Sequence, residues 1–201
     1  MNRIKDSKGG KSVLCLITGA SGSGKSEYAE TLVCQLAKKE QITKKIYVAT
    51  MECESGEAQK RIARHRALRA GKGFTTIEAP LGFLGESPES EKELSSCGGS
   101  VVLLECMSNL LANLMFSAGM GGCAAQEEAL WQMARLRKAC AHLVIVTNEI
   151  FSDGAFYEGE IKEYVRSLAW INQRLAERAD VFCEIVYTIP VFLKGEKICP
   201  Y

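Results

Sequence analysis

Apolar and polar positions follow two rhythms along this chain. Val13 to Ile17, Lys45 to Ala49, Val101 to Leu104 and Leu143 to Thr147 are short, nearly continuous apolar runs, the pattern of strands covered on both faces in a parallel sheet. Between them the period lengthens. Tyr28, Ala29, Leu32, Val33, Leu36 and Ala37 recur at spacings of three and four, which predicts a helix with Glu30, Lys38 and Lys39 turned to water. Gly56 to Arg69 reads as a highly charged helix and Phe74 to Glu78 as a short extended piece. Met107 to Phe116 reads as an apolar helix closed by the glycine-rich SAGMGGC, and Ala125 to Ala141 as another helix. Glu160 to Ala179 predicts a long helix with Ile161, Tyr164, Val165, Leu168, Ile171 and Leu175 on one side. Gly85 to Ser100 is polar, contains Pro88 and ends in two glycines, as expected of an exposed connection with room for one short helix. Val181 to Tyr187 and Val191 to Lys194, joined around Pro190, fit an antiparallel pair at a sheet edge. Strands alternating with helices predict an α/β fold with a mostly parallel sheet and ligand sites at the C-terminal ends of its strands.

Composition narrows the partners. The 201 residues, 47% hydrophobic and 24% charged, suffice for one good core, so a single domain over residues 13–201 is expected behind a flexible leader at 1–12. With 25 basic against 24 acidic residues, no excess charge draws the chain to nucleic acid or an anionic membrane. No apolar stretch reaches the roughly 20 residues that span a bilayer. The nine cysteines are an odd number with no CxxC pair, which suggests neither a disulfide framework nor a zinc site and fits reduced thiols in the cytoplasm. A small-molecule substrate is the expected partner.

One motif carries specific chemistry. GASGSGKS, comprising Gly19, Ala20, Ser21, Gly22, Ser23, Gly24, Lys25 and Ser26, satisfies G-x-x-x-x-G-K-[ST] and lies between an expected buried strand and an expected helix. Its glycines let successive backbone N–H groups turn toward phosphate oxygens, and the following helix adds its positive dipole end. Lys25 would reach the β and γ phosphates and Ser26 would ligate Mg²⁺. Glu105 ends the buried run VVLLE, where a side chain at a strand tip points into the nucleotide cleft, directly on the metal, through a water or as a base. Glu149, in VIVTNE, ends another strand. A phosphate loop alone fits kinases, nucleotidyltransferases, motors and switches equally.

There are two histidines. His142 begins an expected strand and reads as structural. His65 lies in GEAQKRIARHRALR, where Glu57, Arg61, His65 and Arg69 follow at intervals of four and share one slowly turning helix face. Two readings fit that spacing: a solvated face of ion pairs with an incidental histidine, or a phosphate-binding face whose imidazole is a nucleophile among guanidinium groups.

TGASGSGKS, IYVAT at 46–50, ESGEAQKRIARHRALR leading to TTIEAP, LLECMSNLLANLMF, and VIVTNE followed by INQRLAERAD occur in one order over residues 13 to about 195. Together they resemble the bifunctional adenosylcobinamide kinase and adenosylcobinamide-phosphate guanylyltransferase family of cobalamin biosynthesis. The resemblance implies a P-loop NTPase fold of RecA-like type with an antiparallel edge hairpin. It implies a cytoplasmic homotrimer that uses GTP and ATP with Mg²⁺ and acts on a corrinoid. It makes His65 the acceptor of GMP from GTP, places Ala49 and Thr50 in the nucleotide site and Arg69 and Glu78 near the guanine nucleotide, and gives Glu105 the acidic metal-side position beside Ser26.

The chain departs from that family where it carries Gly22 in place of a usual arginine, Phe74 in place of a tryptophan, and IFSDGAFYEGE after the TNE element. Two other readings fit the same residues. One is a divergent member with a single activity; the other is a nucleotide-gated assembly or regulatory protein, which leaves His65 without a role.

Overall fold

The strand β1, Leu14–Thr18, is buried at every residue because both of its faces are covered. Successive side chains of a strand point to opposite faces, so Leu14 and Leu16 enter one apolar cluster while Cys15 and Ile17 enter another. β2 (Lys45–Ala49), β4 (Val101–Glu105) and β5 (His142–Val146) divide their side chains in the same way, which is why their sequences show no alternation. A computed structural model describes residues 12–52, 59, 63, 66, 67, 69–152 and 154–196.

The described strands form one seven-stranded sheet in the order β3-β2-β4-β5-β1-β6-β7, with β3 spanning Phe74–Glu78, β6 Val181–Val186 and β7 Ile189–Lys194. All neighbours are parallel except β6 and β7. Helix α1, Lys25–Lys39, packs Ala29, Leu32, Val33, Leu36 and Ala37 on one face. The other face is covered by α2 (Pro88–Ser96), α3 (Met107–Ala112), α4 (Gly122–Ala139) and α5 (Gly159–Arg178). Each fully buried leucine in these layers stabilises the fold by about 1.5–3 kcal/mol relative to exposure. After β1 the chain crosses one face toward β2, and after β5 it crosses the other face toward β6. The C-terminal strand ends around β1, β5 and β4 therefore border the crevice that such a reversal leaves.

The expected α/β architecture, its parallel core and its antiparallel edge are all present. Four local expectations need correction. Glu30 is fully buried, because Lys72 from the turn before β3 places Nζ 2.6 Å from its Oε2. Ile161 is 49% exposed, since the first turns of α5 run past the core that Leu168, Ile171 and Leu175 join. The helix expected over 107–116 is α only to Ala112; residues Asn113–Ser117 widen into a π turn, with Ala118 N–H bonded to Asn113 O at 2.8 Å. Pro190 lies inside β7, and the reversal is made by Tyr187 and Thr188 at φ 47° and 70°. Proline is tolerated there because β7 is the edge strand.

His142 is 5% exposed and its Nδ1 accepts the N–H of Val13 at 3.2 Å, with burial lowering its pKa; it fastens the start of β5 to the chain entering β1. No described helix is long and apolar enough to cross a membrane.

Candidate functional site

β1 ends at Thr18 and the GASGSGKS loop follows, held by close backbone approaches. A Cβ on Gly19 (φ 152°) would stand 2.7 Å from Ile185 O, and one on Gly24 (φ 91°) 2.9 Å from Thr188 Cγ2. Glycine is required at both. Lys25 folds back so that its Nζ donates to Ala20 O at 3.0 Å, and Ser23 N–H closes the loop on the same carbonyl at 3.2 Å. Gly24 caps α1 with no side-chain hydrogen bond, so the helix's first N–H groups face the loop's concavity. Ser23 Oγ is buried without a hydrogen-bond partner among the described residues.

The tip of β4 meets the first turn of α1. Ser26 Oγ donates to Glu105 Oε1 at 2.7 Å, while Glu105 Oε2 is buried and has no hydrogen-bond partner among the described residues. Burial pushes the Glu105 carboxyl up to about 7, against the opposing effects of the Ser26 hydrogen bond and Lys25. An orphan carboxylate oxygen beside a serine hydroxyl is a donor set of hard oxygens, which suits Mg²⁺. The residues present fit that ion.

A second wall rises from β2, β3 and the segment between them. The Arg69 guanidinium lies over the Tyr47 ring, 3.5 Å from its centroid, and Arg69 is only 7% exposed. Arg66 Nη2 reaches Glu78 Oε1 at 2.9 Å, an exposed pair worth at most about 1 kcal/mol. Thr50 does not face the opening. It is fully buried, with Oγ1 donating to Cys106 O at 2.8 Å and accepting Cys106 N–H at 2.7 Å. Asn113 Nδ2 donates to both Thr50 O (2.8 Å) and Pro80 O (2.9 Å), joining the chain beyond β2 to the chain beyond β3.

These elements enclose a cleft of about 320 Å³. Ser21, Gly22, Ser23, Gly24, Lys25, Ser26, Ala49, Arg69, Glu78 and Glu105 border it. Gly19 and Ala20 lie behind it and shape the loop. His65, with Glu57 and Arg61, lies outside the described residues. The cleft also takes in Tyr47, Met51, Asn109 and Asn148, which the sequence did not single out. Asn148 Nδ2 donates to Ser108 Oγ at 2.6 Å, so the asparagine is aligned by the start of α3. Both asparagines follow strand tips, β4 for Asn109 and β5 for Asn148, and that position was their one legible signal. Glu149 is spent on its own loop, accepting from the N–H groups of Phe151 (2.9 Å) and Ser152 (3.2 Å).

A family model described as cobinamide kinase / cobinamide phosphate guanyltransferase matches residues 15–193. The chain is 32% identical over 184 residues to the bifunctional adenosylcobalamin biosynthesis protein CobP of Pseudomonas aeruginosa, covering 91% of this chain and 98% of that protein. It is 30% identical over 194 residues to the bifunctional adenosylcobalamin biosynthesis protein CobU of Escherichia coli, covering 90% of this chain and all of that protein. The CobU protein of Salmonella typhimurium is 28% identical over the same length.

Proposed function

The chain belongs to the cobinamide kinase / cobinamide phosphate guanyltransferase family, and from that premise we propose that it phosphorylates adenosylcobinamide and then moves GMP from GTP onto the phosphorylated product. The observation that carries the reading is the Ser26–Glu105 contact at the mouth of the phosphate loop, with a carboxylate oxygen that finds no donor among the described residues. Ser26 and Glu105 would hold Mg²⁺, which when bound neutralises phosphate charge and fixes its orientation.

In the kinase step the loop's N–H groups and Lys25 hold the triphosphate, so that positioning and charge neutralisation supply most of the acceleration. The acceptor's hydroxyl oxygen bonds to the γ phosphorus, the bond from that phosphorus to the β-bridging oxygen breaks, and the hydroxyl proton leaves to water. In the guanylyl step a nitrogen of His65 bonds to the α phosphorus of GTP and pyrophosphate departs. A phosphate oxygen of the corrinoid then displaces the imidazole, which restores His65. Arg66 and Arg69, near His65 in sequence, support this reading by bringing positive charge to the wall where Ala49 and Glu78 also stand.

The single sheet through all described strands supports one domain over 13–201. A homotrimeric, cytoplasmic enzyme completes the proposal on the strength of the family resemblance. Incubation with GTP labelled at the α phosphate tests it. An acid-labile, alkali-stable protein label that is absent in His65→Ala is expected. Tight nucleotide binding without any label would leave a switch and not a transferase.

A further inference from the structure

The hairpin between β6 and β7 does more than finish the sheet. Its two turn residues, Tyr187 and Thr188, both have positive φ, yet neither is a glycine or asparagine, and Thr188 is β-branched. Such a backbone is strained and persists only where its surroundings hold it. What holds it is the phosphate loop: Thr188 N–H donates to Ser23 O at 2.9 Å, and the Thr188 methyl sits where Gly24 leaves no room for a side chain. Next to that clamp Tyr187 is 88% exposed, flanked by Ile189 at 64% and Val186 at 40%. An exposed aromatic residue is thereby carried at the edge of a phosphate cradle.

The two flanks of the cradle differ. On one side stand Glu105 and, beyond it, the wall of Tyr47, Arg69 and Glu78 on the β4, β2 and β3 side of the sheet. On the other stand β6 and β7 with their turn. With its terminal phosphate by Glu105, a nucleotide lying along the loop has the hairpin at its nucleoside end. Guanylyl transfer needs the opposite arrangement, because His65 belongs to the chain between β2 and β3. One loop can serve both steps if each flank receives a nucleoside in turn.

We propose that Tyr187 is the platform on which the base of the kinase-step nucleotide stacks, while the base of the guanylyl donor lies against the opposite wall. The inference rests on the kinase reading above and adds a second nucleoside subsite to it. A flat aromatic surface without fixed donors suits a purine, whose π face it can cover whatever its edge groups.

The test compares ADP with inorganic tripolyphosphate, which shares the phosphates and lacks a base. Affinities of both for the full chain, with Mg²⁺ present, are measured by calorimetry for wild type, Tyr187→Ala and Tyr187→Phe. Tyr187→Ala should weaken ADP about tenfold, the size expected for a lost base–aromatic stack. Tripolyphosphate should bind unchanged, Tyr187→Phe should restore ADP, and the α-phosphate label from GTP should form as in wild type. Equal weakening of ADP and tripolyphosphate would mean that the turn only props the loop, and the inference fails. It fails equally if ADP affinity is untouched, or if the variant's only change is a different oligomer mass, which would make the patch a subunit contact. A wild-type chain that binds ADP and tripolyphosphate but does not phosphorylate cobinamide would sink the kinase reading while leaving the stacking measurement intact.

Discussion

Ser26 donates its hydroxyl proton to Glu105 across 2.7 Å, and this one bond joins the first turn of the phosphate-loop helix to the tip of a strand two places away in the sheet. Removing the hydroxyl in Ser26→Ala should raise the Mg²⁺ concentration for half-maximal kinase activity by tenfold or more, a loss of about 1.4 kcal/mol. An unchanged Mg²⁺ titration would place the ion elsewhere.

The buried Glu105 carboxyl makes apo stability depend on pH. Its pKa is about 7 in the folded chain against an ordinary value of 4.5. Between those values the folded state binds more protons than the unfolded one, so this group's contribution to stability falls as pH rises through that window. Glu105→Gln keeps an acceptor for Ser26 and removes the charge. Without nucleotide or divalent cation it should unfold at higher temperature than wild type at pH 8, by the equivalent of about 3 kcal/mol, and show almost no gain at pH 4. Thermal melts at the two pH values decide this; an equal gain at both would refute it.

Glu30 and Lys72 form an ion pair whose acid is fully buried and whose lysine side chain is 28% exposed. Lys72→Met leaves the carboxylate without its cation and should cost about 3 kcal/mol. Adding Glu30→Gln should recover most of that loss. A double-mutant cycle in denaturant measures the coupling, and additive losses would contradict it.

Gly82 (φ 63°) leaves space for Gln132, whose Oε1 accepts Phe83 N–H at 2.9 Å and whose Nε2 donates to Leu81 O at 3.2 Å. A methyl group there would collide with Gln132 Oε1 in a backbone region that alanine disfavours. Gly82→Ala should destabilise the chain by about 3 kcal/mol, lowering Tm by about 6–12 °C. A melt within 2 °C of wild type, allowing for roughly ±0.5 kcal/mol of ordinary surface variation, would show the loop free to move aside.

What could be read from the residues, and what could not, follows the range of the interactions. LCLIT and GASGSGKS were legible because a strand covered on both faces must be continuously apolar and a phosphate cradle needs glycine at fixed places. Glu30 was misassigned because helical spacing knows nothing of a lysine 42 residues away. The reversal at Tyr187 and Thr188 carried no glycine or asparagine to announce it, and Pro190 drew the turn toward itself. Asn113 carried no signal of its own within the segment 107–116, since its two acceptors come from different loops. Tyr47, Asn109 and Asn148 became cleft residues only when three strand tips converged.

The amide of Asn113 has a consequence for how the cleft receives its substrates. By holding the carbonyls of Thr50 and Pro80 together from one buried position, it obliges that rim to keep its shape before anything arrives. The ordering entropy of two connecting segments is then settled during folding and is not charged against each turnover.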